Sequence, residues 1–249
     1  MPLDSIAEIL ASCSERNLAF WQVVLEADVE ERQVSAEASF EKMRATWRAM
    51  LDSAESYDGG LRSVSGLSGG DGELMRRYAA GGSALGGGYI SEVIATALCV
   101  GESNACMRKI VAAPTAGACG VLPAVLVPLY RRGEREEDIL RALYTAAGIG
   151  AVINSRASIS GAAGGCQAEI GSASAMAAGA LAQLRGGGPE QTANALAMAL
   201  KNLMGLICDP VAGLVEVPCV KRNVIGAVNA VSCADMALAG ITSRIPADE

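Results

Sequence analysis

Half of this chain is apolar, yet very little of that half is aromatic: 51% of 249 residues are hydrophobic, while two are Trp, five Tyr and two Phe. The apolar mass is therefore Ala, Leu, Val and Ile, interspersed with 29 Gly. Small side chains let helix axes approach closely, whereas sheets draw on aromatic and β-branched residues. The chain shows neither strand alternation nor a strand–helix repeat. The expected fold is mainly α: a single compact all-helical domain with Gly-rich loops.

Local signals place the elements. Ser5-x-x-Glu8 is a capping box and predicts a first helix that runs into the twenties. Phe40, Met43, Trp47, Met50, Leu51 and Ala54 form one buried face of a second helix, ending at Gly59-Gly60. The charge-rich residues 1–60 read as a solvated helical layer, and residues 61–249 as the helical core of the same domain. Ser68-Gly-Gly-Asp71 predicts a helix to about Ala80 capped by Asp71, and further helices are expected over 89–100, 103–112, 137–153 and 167–184. Pro189 suits the first position of the next helix, and a last one runs over about 219–240.

Composition also excludes. A net charge of −7 without a basic stripe disfavours nucleic acid. The acidic N-terminus lacks the cationic and apolar regions of a signal peptide, so eight cysteines read as reduced thiols, metal ligands or core residues of a cytoplasmic protein. The chain has no histidine, which removes Ser-His-Asp and Cys-His catalysis and every histidine-based zinc site. Ile110 to Tyr130 is an uncharged run long enough to span a bilayer, but Pro114, Pro123 and Pro128 interrupt it, and no membrane span is expected.

Three cysteines keep unusual company. Cys166 follows a Gly-rich loop at a helix start, Cys208 adjoins Asp209-Pro210, and Cys219 follows Pro218 at another helix start. A helix N-terminus favours the thiolate, the metal-binding form. Spacing alone leaves both a metal site and ordinary packing open, since no C-x-x-C pair is present. Cys13, Cys99 and Cys233 sit in apolar helical contexts and read as core, and packing is also favoured for Cys106 and Cys119.

Longer patterns then become recognisable. Ser158-Ile-Ser-Gly-Ala-Ala-Gly-Gly-Cys-Gln-Ala-Glu169 and Gly205-Leu-Ile-Cys-Asp-Pro-Val-Ala-Gly-Leu-Val-Glu-Val-Pro-Cys-Val-Lys-Arg-Asn223 closely resemble the catalytic region of iron–sulfur L-serine dehydratases. Ser63-Val-Ser-Gly-Leu-Ser-Gly-Gly-Asp71, Pro114-Thr-Ala-Gly117 and Ala237–Pro246 resemble that family too. The resemblance covers nearly everything from about residue 60. It implies a [4Fe–4S] cluster held by Cys166, Cys208 and Cys219, with one iron open to L-serine, in an oligomer-forming catalytic (alpha) chain partnered by a beta subunit. It also implies serine catabolism that can feed gluconeogenesis.

Serine's β-hydroxyl is a poor leaving group, and a Lewis-acidic iron would ease its departure. The α-proton needs a base. Lys221 is near Cys219 in sequence; it and Arg222 could equally bind the substrate carboxylate or balance the cluster's charge. Asp71 and Ser160 complete the catalytic candidates, with Ser68, Asn154, Ser158 and Arg222 as substrate-binding ones. A cysteine desulfidase-like cluster lyase and a pyridoxal-phosphate dehydratase using one of four lysines are the alternatives. Relatives often carry a histidine in the stretch matching Leu85–Tyr89 and continue beyond the segment matching Thr242–Glu249; here Ile245-Pro-Ala-Asp-Glu249 reads as a helix cut off at its start.

Overall fold

Eleven α-helices and one short 3-10 turn make up the regular structure of residues 4–249, which the computed structural model describes. No strand occurs among the described residues, only an isolated bridge between Val211 and Leu214. The all-helical expectation holds.

The centre is α9 (Cys166–Leu184), packed against α7 (Glu136–Arg156), α10 (Pro189–Asn202) and α11 (Val217–Leu238). Ala173, Ala175, Ala177, Ala178, Ala180 and Ala182 of α9 are all fully buried. A helix apolar nearly all round belongs inside, and alanine keeps its neighbours close. At Gly226 of α11 an added Cβ would lie 2.8 Å from Ile170 Cγ2 of α9. Ser174 Oγ donates to the Gly226 carbonyl (2.8 Å), and Asn229 Nδ2 donates to Ser174 Oγ and to the Ala199 carbonyl of α10. These bonds, the first of them buried, fix the axial register of the two helices that carry Cys166 and Cys219.

The uncharged run resolves into α6 (Val121–Arg131), with nine of its eleven residues buried in the core. Pro123 falls in the first turn, where its missing N–H is no loss, and Pro128 lies inside the helix. No helix among the described residues is long and apolar enough to cross a membrane. Before it, a single α5 (Gly87–Ala105) replaces the two helices expected over 89–112. No helix forms over 106–112: Met107 takes the left-handed conformation (φ 58°) just after α5, and the chain leaves the helix there.

The first helix also differs from expectation. It is α1 (Ile6–Arg16), stopped by Asn17 in the left-handed conformation (φ 51°), with α2 (Phe20–Arg32) following. Asparagine tolerates that conformation, and its N–H closes on the Cys13 carbonyl. Ser5 does cap α1, accepting from Glu8 N at 3.1 Å. Next, α3 (Ala36–Glu55) buries Trp47, Met50 and Ala54, and α1 to α3 lay their apolar sides into the same cluster as α5, α6, α7, α9, α10 and α11. Residues 241–249 form no helix. Instead Asp248 caps α1, accepting from the N–H groups of Ile6 (3.0 Å) and Ala7 (2.9 Å).

Candidate functional site

Cys166 is the first residue of α9, preceded by Gly165 at φ 76°. That conformation strains any residue with a Cβ, and a Cβ there would also lie 3.3 Å from Cys208 N and from the Leu206 carbonyl. Glycine thus lets the Cys208 loop lie directly against the start of α9. Gln167 fastens it, donating its N–H to the Leu206 carbonyl and accepting from Gly205 N, both at 2.8 Å.

Cys219 sits in the first turn of α11, and Arg222 follows one turn later on the same side. Its Nη1 lies 3.0 Å from Cys166 Sγ and 2.5 Å from Asp209 Oδ1. One guanidinium therefore joins the Cys166 helix to the Cys208 loop. Asn223, fully buried, donates to the carbonyls of Gly117 and Cys219 (both 2.9 Å) and accepts from Gly120 N (2.8 Å). It adds the Pro114–Gly117 loop to the assembly. The three candidate ligands are thereby brought to one end of the α9–α11 pair.

Their charges act on one another. Burial, aided by Cys166, Cys208 and Glu169, pushes the Cys219 thiol up to about 11; burial also raises Cys166, against the opposing pull of Arg222. The lowering expected from the helix starts is outweighed: desolvation of a thiolate exceeds the dipole's contribution when no metal compensates. Among the described residues no three His, Cys, Asp or Glu side chains stand close enough to hold a single metal ion. A four-iron cluster is itself several ångströms across, so its thiol ligands stand around it and not against one another. Three converging thiols, a bridging guanidinium and Gly-opened backbone are a donor set that fits such a group.

The remaining candidates are distributed around this centre. Lys221 Nζ pairs with Asp71 Oδ2 at 2.8 Å. Two residues beyond Cys219, Lys221 is turned by about 200° around α11 and faces α4 (Asp71–Ala80), not the thiols. The pair rims an open groove of about 460 Å³ lined by Leu74, Met75, Tyr78, Leu98 and Val224. Asp71 is the first residue of α4 and not its cap; Gly70 holds the cap position without a side chain. The missing cap comes from Glu102 on α5, only 1% exposed, which accepts from Asp71 N (2.8 Å), Gly72 N (3.0 Å) and Tyr57 OH (2.5 Å). Burial, with Glu102 adding to it, raises the Tyr57 hydroxyl above its usual range.

Ser68 is buried within a clasp. Glu216 accepts from Ser63 Oγ (2.7 Å) and Ser65 Oγ (2.6 Å), while Ser63 Oγ accepts from Ser68 N. The clasp ties the Ser63–Asp71 loop to the turn before Cys219. Hydrogen bonds from Ser65 and Ser63 lower the Glu216 carboxyl. Ser158 and Ser160 lie in the loop that leads through the short α8 (Gly161–Gly164) to Cys166, with Ser160 N donating to Ser158 Oγ. Asn154 is exposed on the last turn of α7, and its side-chain amide has no hydrogen-bond partner among the described residues. Sequence reasoning missed Glu102, Glu169, Glu216 and Asn223; Glu102 is one of two acids in the otherwise apolar α5, and nothing local separates it from the exposed Glu92.

A family model described as serine dehydratase alpha chain matches residues 15–249, which include all three cysteines and the loops around them. The chain belongs to this family. Among curated members, the probable L-serine dehydratase alpha chain of Bacillus subtilis is 45% identical over 246 residues, 98% of this chain and 82% of that one. The L-serine dehydratase alpha chain of Peptoniphilus asaccharolyticus is 40% identical, covering 99% and 85%. L-serine dehydratase TdcG of Escherichia coli is 51% identical over 144 residues, 57% of this chain but 32% of its own length. Serine dehydratase alpha chains thus share this whole domain, and part of it recurs within a longer chain.

Proposed function

We propose that this chain is the catalytic alpha chain of an L-serine dehydratase, eliminating water from L-serine to give pyruvate and ammonia, with a [4Fe–4S] cluster on Cys166, Cys208 and Cys219. The observation that carries the reading is the meeting of those three thiols' segments at the Arg222 bridge, within a domain of this family. When bound, such a cluster supplies a Lewis-acidic iron that weakens the bond to the substrate hydroxyl.

The chain's own groups do the rest. Arg222, its side chain 12% exposed, holds Cys166 and Asp209 together and offsets thiolate charge; its remaining donors suit the substrate carboxylate. Ser158 and Ser160 line the approach to Cys166 as hydrogen-bond partners for substrate. Lys221 is the lesser candidate for proton transfer, because Asp71 holds its ammonium on the α4 side of α11. Ser68 and Asn154 act at most indirectly, one buried in the Glu216 clasp and the other at the end of α7. The aminoacrylate left by elimination tautomerises and hydrolyses unaided.

A beta chain is part of this reading. Three relatives carry the words alpha chain in their names. Leu74, Tyr78, Met204, Ile207 and Ile225 expose large apolar side chains on elements next to the site, as a partner-covered face would. An open iron is oxygen-labile, which places the enzyme in the reduced cytoplasm.

The test is anaerobic co-purification with the beta chain, followed by iron and pyruvate assays. Cys166→Ala, Cys208→Ala and Cys219→Ala each lose iron and turnover to background, while Cys13→Ala and Cys233→Ala keep both. Active yellow protein with borohydride-reducible absorbance, or full iron in any of the three single variants, overturns the reading.

A further inference from the structure

Glu169 follows Cys166 by one turn of α9, and its charge reaches both Cys166 and Cys219. Two loops close over its carboxylate through glycines. A Cβ at Gly161 would lie 2.3 Å from Oε2, and one at Gly117 would lie 3.0 Å from it. The side chain is partly buried and has no hydrogen-bond or ion-pair partner among the described residues. The cation of this centre is already engaged, Arg222 with Cys166 and Asp209, while Lys221 is held on the α4 side of α11 by Asp71.

An anion partly withdrawn from water calls for a counter-charge, and each neighbouring thiolate deepens the need. No side chain among the described residues supplies one, and the first turn of α9 offers only its partial dipole. The substrate of the proposed reaction does: serine brings an α-ammonium with three donors on the atom next to the reacting carbon. We propose that the Glu169 carboxylate receives the α-ammonium group of the amino-acid substrate and sets the site's preference for 2-amino over 2-hydroxy acids. The inference rests on the reading above for where the substrate sits. It divides the labour within the site: Arg222 takes the carboxylate end, Glu169 the ammonium end, and the β-hydroxyl is left to face the thiols.

L-alanine and L-lactate differ only in amine against hydroxyl, and neither carries the β-hydroxyl that the proposed reaction removes. Their binding to the anaerobically purified, iron-loaded holoenzyme is measured by calorimetry, for the parent chain and for the isosteric Glu169→Gln. The parent prefers alanine by about 10- to 100-fold, the range for a hydrogen bond between charged partners. Glu169→Gln weakens alanine by that factor and leaves lactate within about threefold, with iron content unchanged; Glu169→Asp, which keeps the charge, recovers part of the preference. For serine, KM rises by a similar factor and kcat moves less. Equal weakening of both ligands, no weakening, or loss of iron overturns the inference. If the parent holds no iron and makes no pyruvate, the proposed function falls, and the same calorimetry is run on that iron-free protein: a preference for alanine that Glu169→Gln removes keeps the role of Glu169, and equal binding of the two ligands overturns it.

Discussion

Acidic side chains decide more of this site than their positions in the sequence announce. Glu216 precedes Cys219 by three residues and looks like a surface acid in a loop, yet it is 8% exposed and held by two serine hydroxyls. Its carboxyl is lowered from 4.5 by those bonds. The clasp therefore contributes its full stability above pH 4.5 and loses it as the pH falls through the depressed value. Ser63→Ala/Ser65→Ala should lower the urea midpoint at pH 7, and the gap to the parent should shrink when both are measured near pH 3. A gap that grows on acidification would contradict the assignment. Arg222 shows the converse: its sequence position beside Lys221 suggests one shared role, but a single residue step turns it from the α4 side to the thiols.

Between elements, the least replaceable contact is the one α5 makes with the start of α4. A helix N-terminus leaves its first N–H groups without intrahelical partners, and Gly70 offers no side chain to take them. Glu102 does so from another helix. Glu102→Ala leaves the buried Gly72 N–H and the part-buried Asp71 N–H and Tyr57 hydroxyl unpaired, and is expected to cost about 1–3 kcal/mol for the buried donor left unsatisfied. Chemical denaturation measures it. Serine turnover should fall further than stability alone explains if the Lys221–Asp71 pair takes part, since Asp71 is the residue displaced. The α9–α11 pair is more legible from sequence, because alanine runs and Gly226 mark close approach; its register is not, because Ser174 and Asn229 choose partners on other helices.

Across the whole molecule the two ends of the described chain meet. Asp248 caps α1, Arg156 donates to the Asp4 and Asp248 carbonyls, and Ser243 N donates to Asn194 of α10. Asp248→Ala should destabilise the protein by about 0.5–2 kcal/mol, as loss of an N-cap does, and lower its thermal midpoint without changing iron content. A loss of iron on the same substitution would mean that α1 bears on the cluster end of the bundle. The acidic terminal residues that read as the first turn of a new helix instead complete an existing one, 242 residues away in sequence.

The sequence by itself determined the helical class, the starts of α9, α10 and α11, the Gly and Pro positions that frame the cysteines, and the exclusion of histidine chemistry. These rest on side-chain size, period and local capping, all of which act over a few residues. Tertiary structure alone decided which acids are caps, which are clasps and which are left unpaired. Glu102, Glu216 and Asp248 each satisfy donors 30 or more residues away, and Glu169 is left without a partner where Gly117 and Gly161 close over it. A carboxylate's role depends on what the fold brings to it, and local sequence carries no record of that.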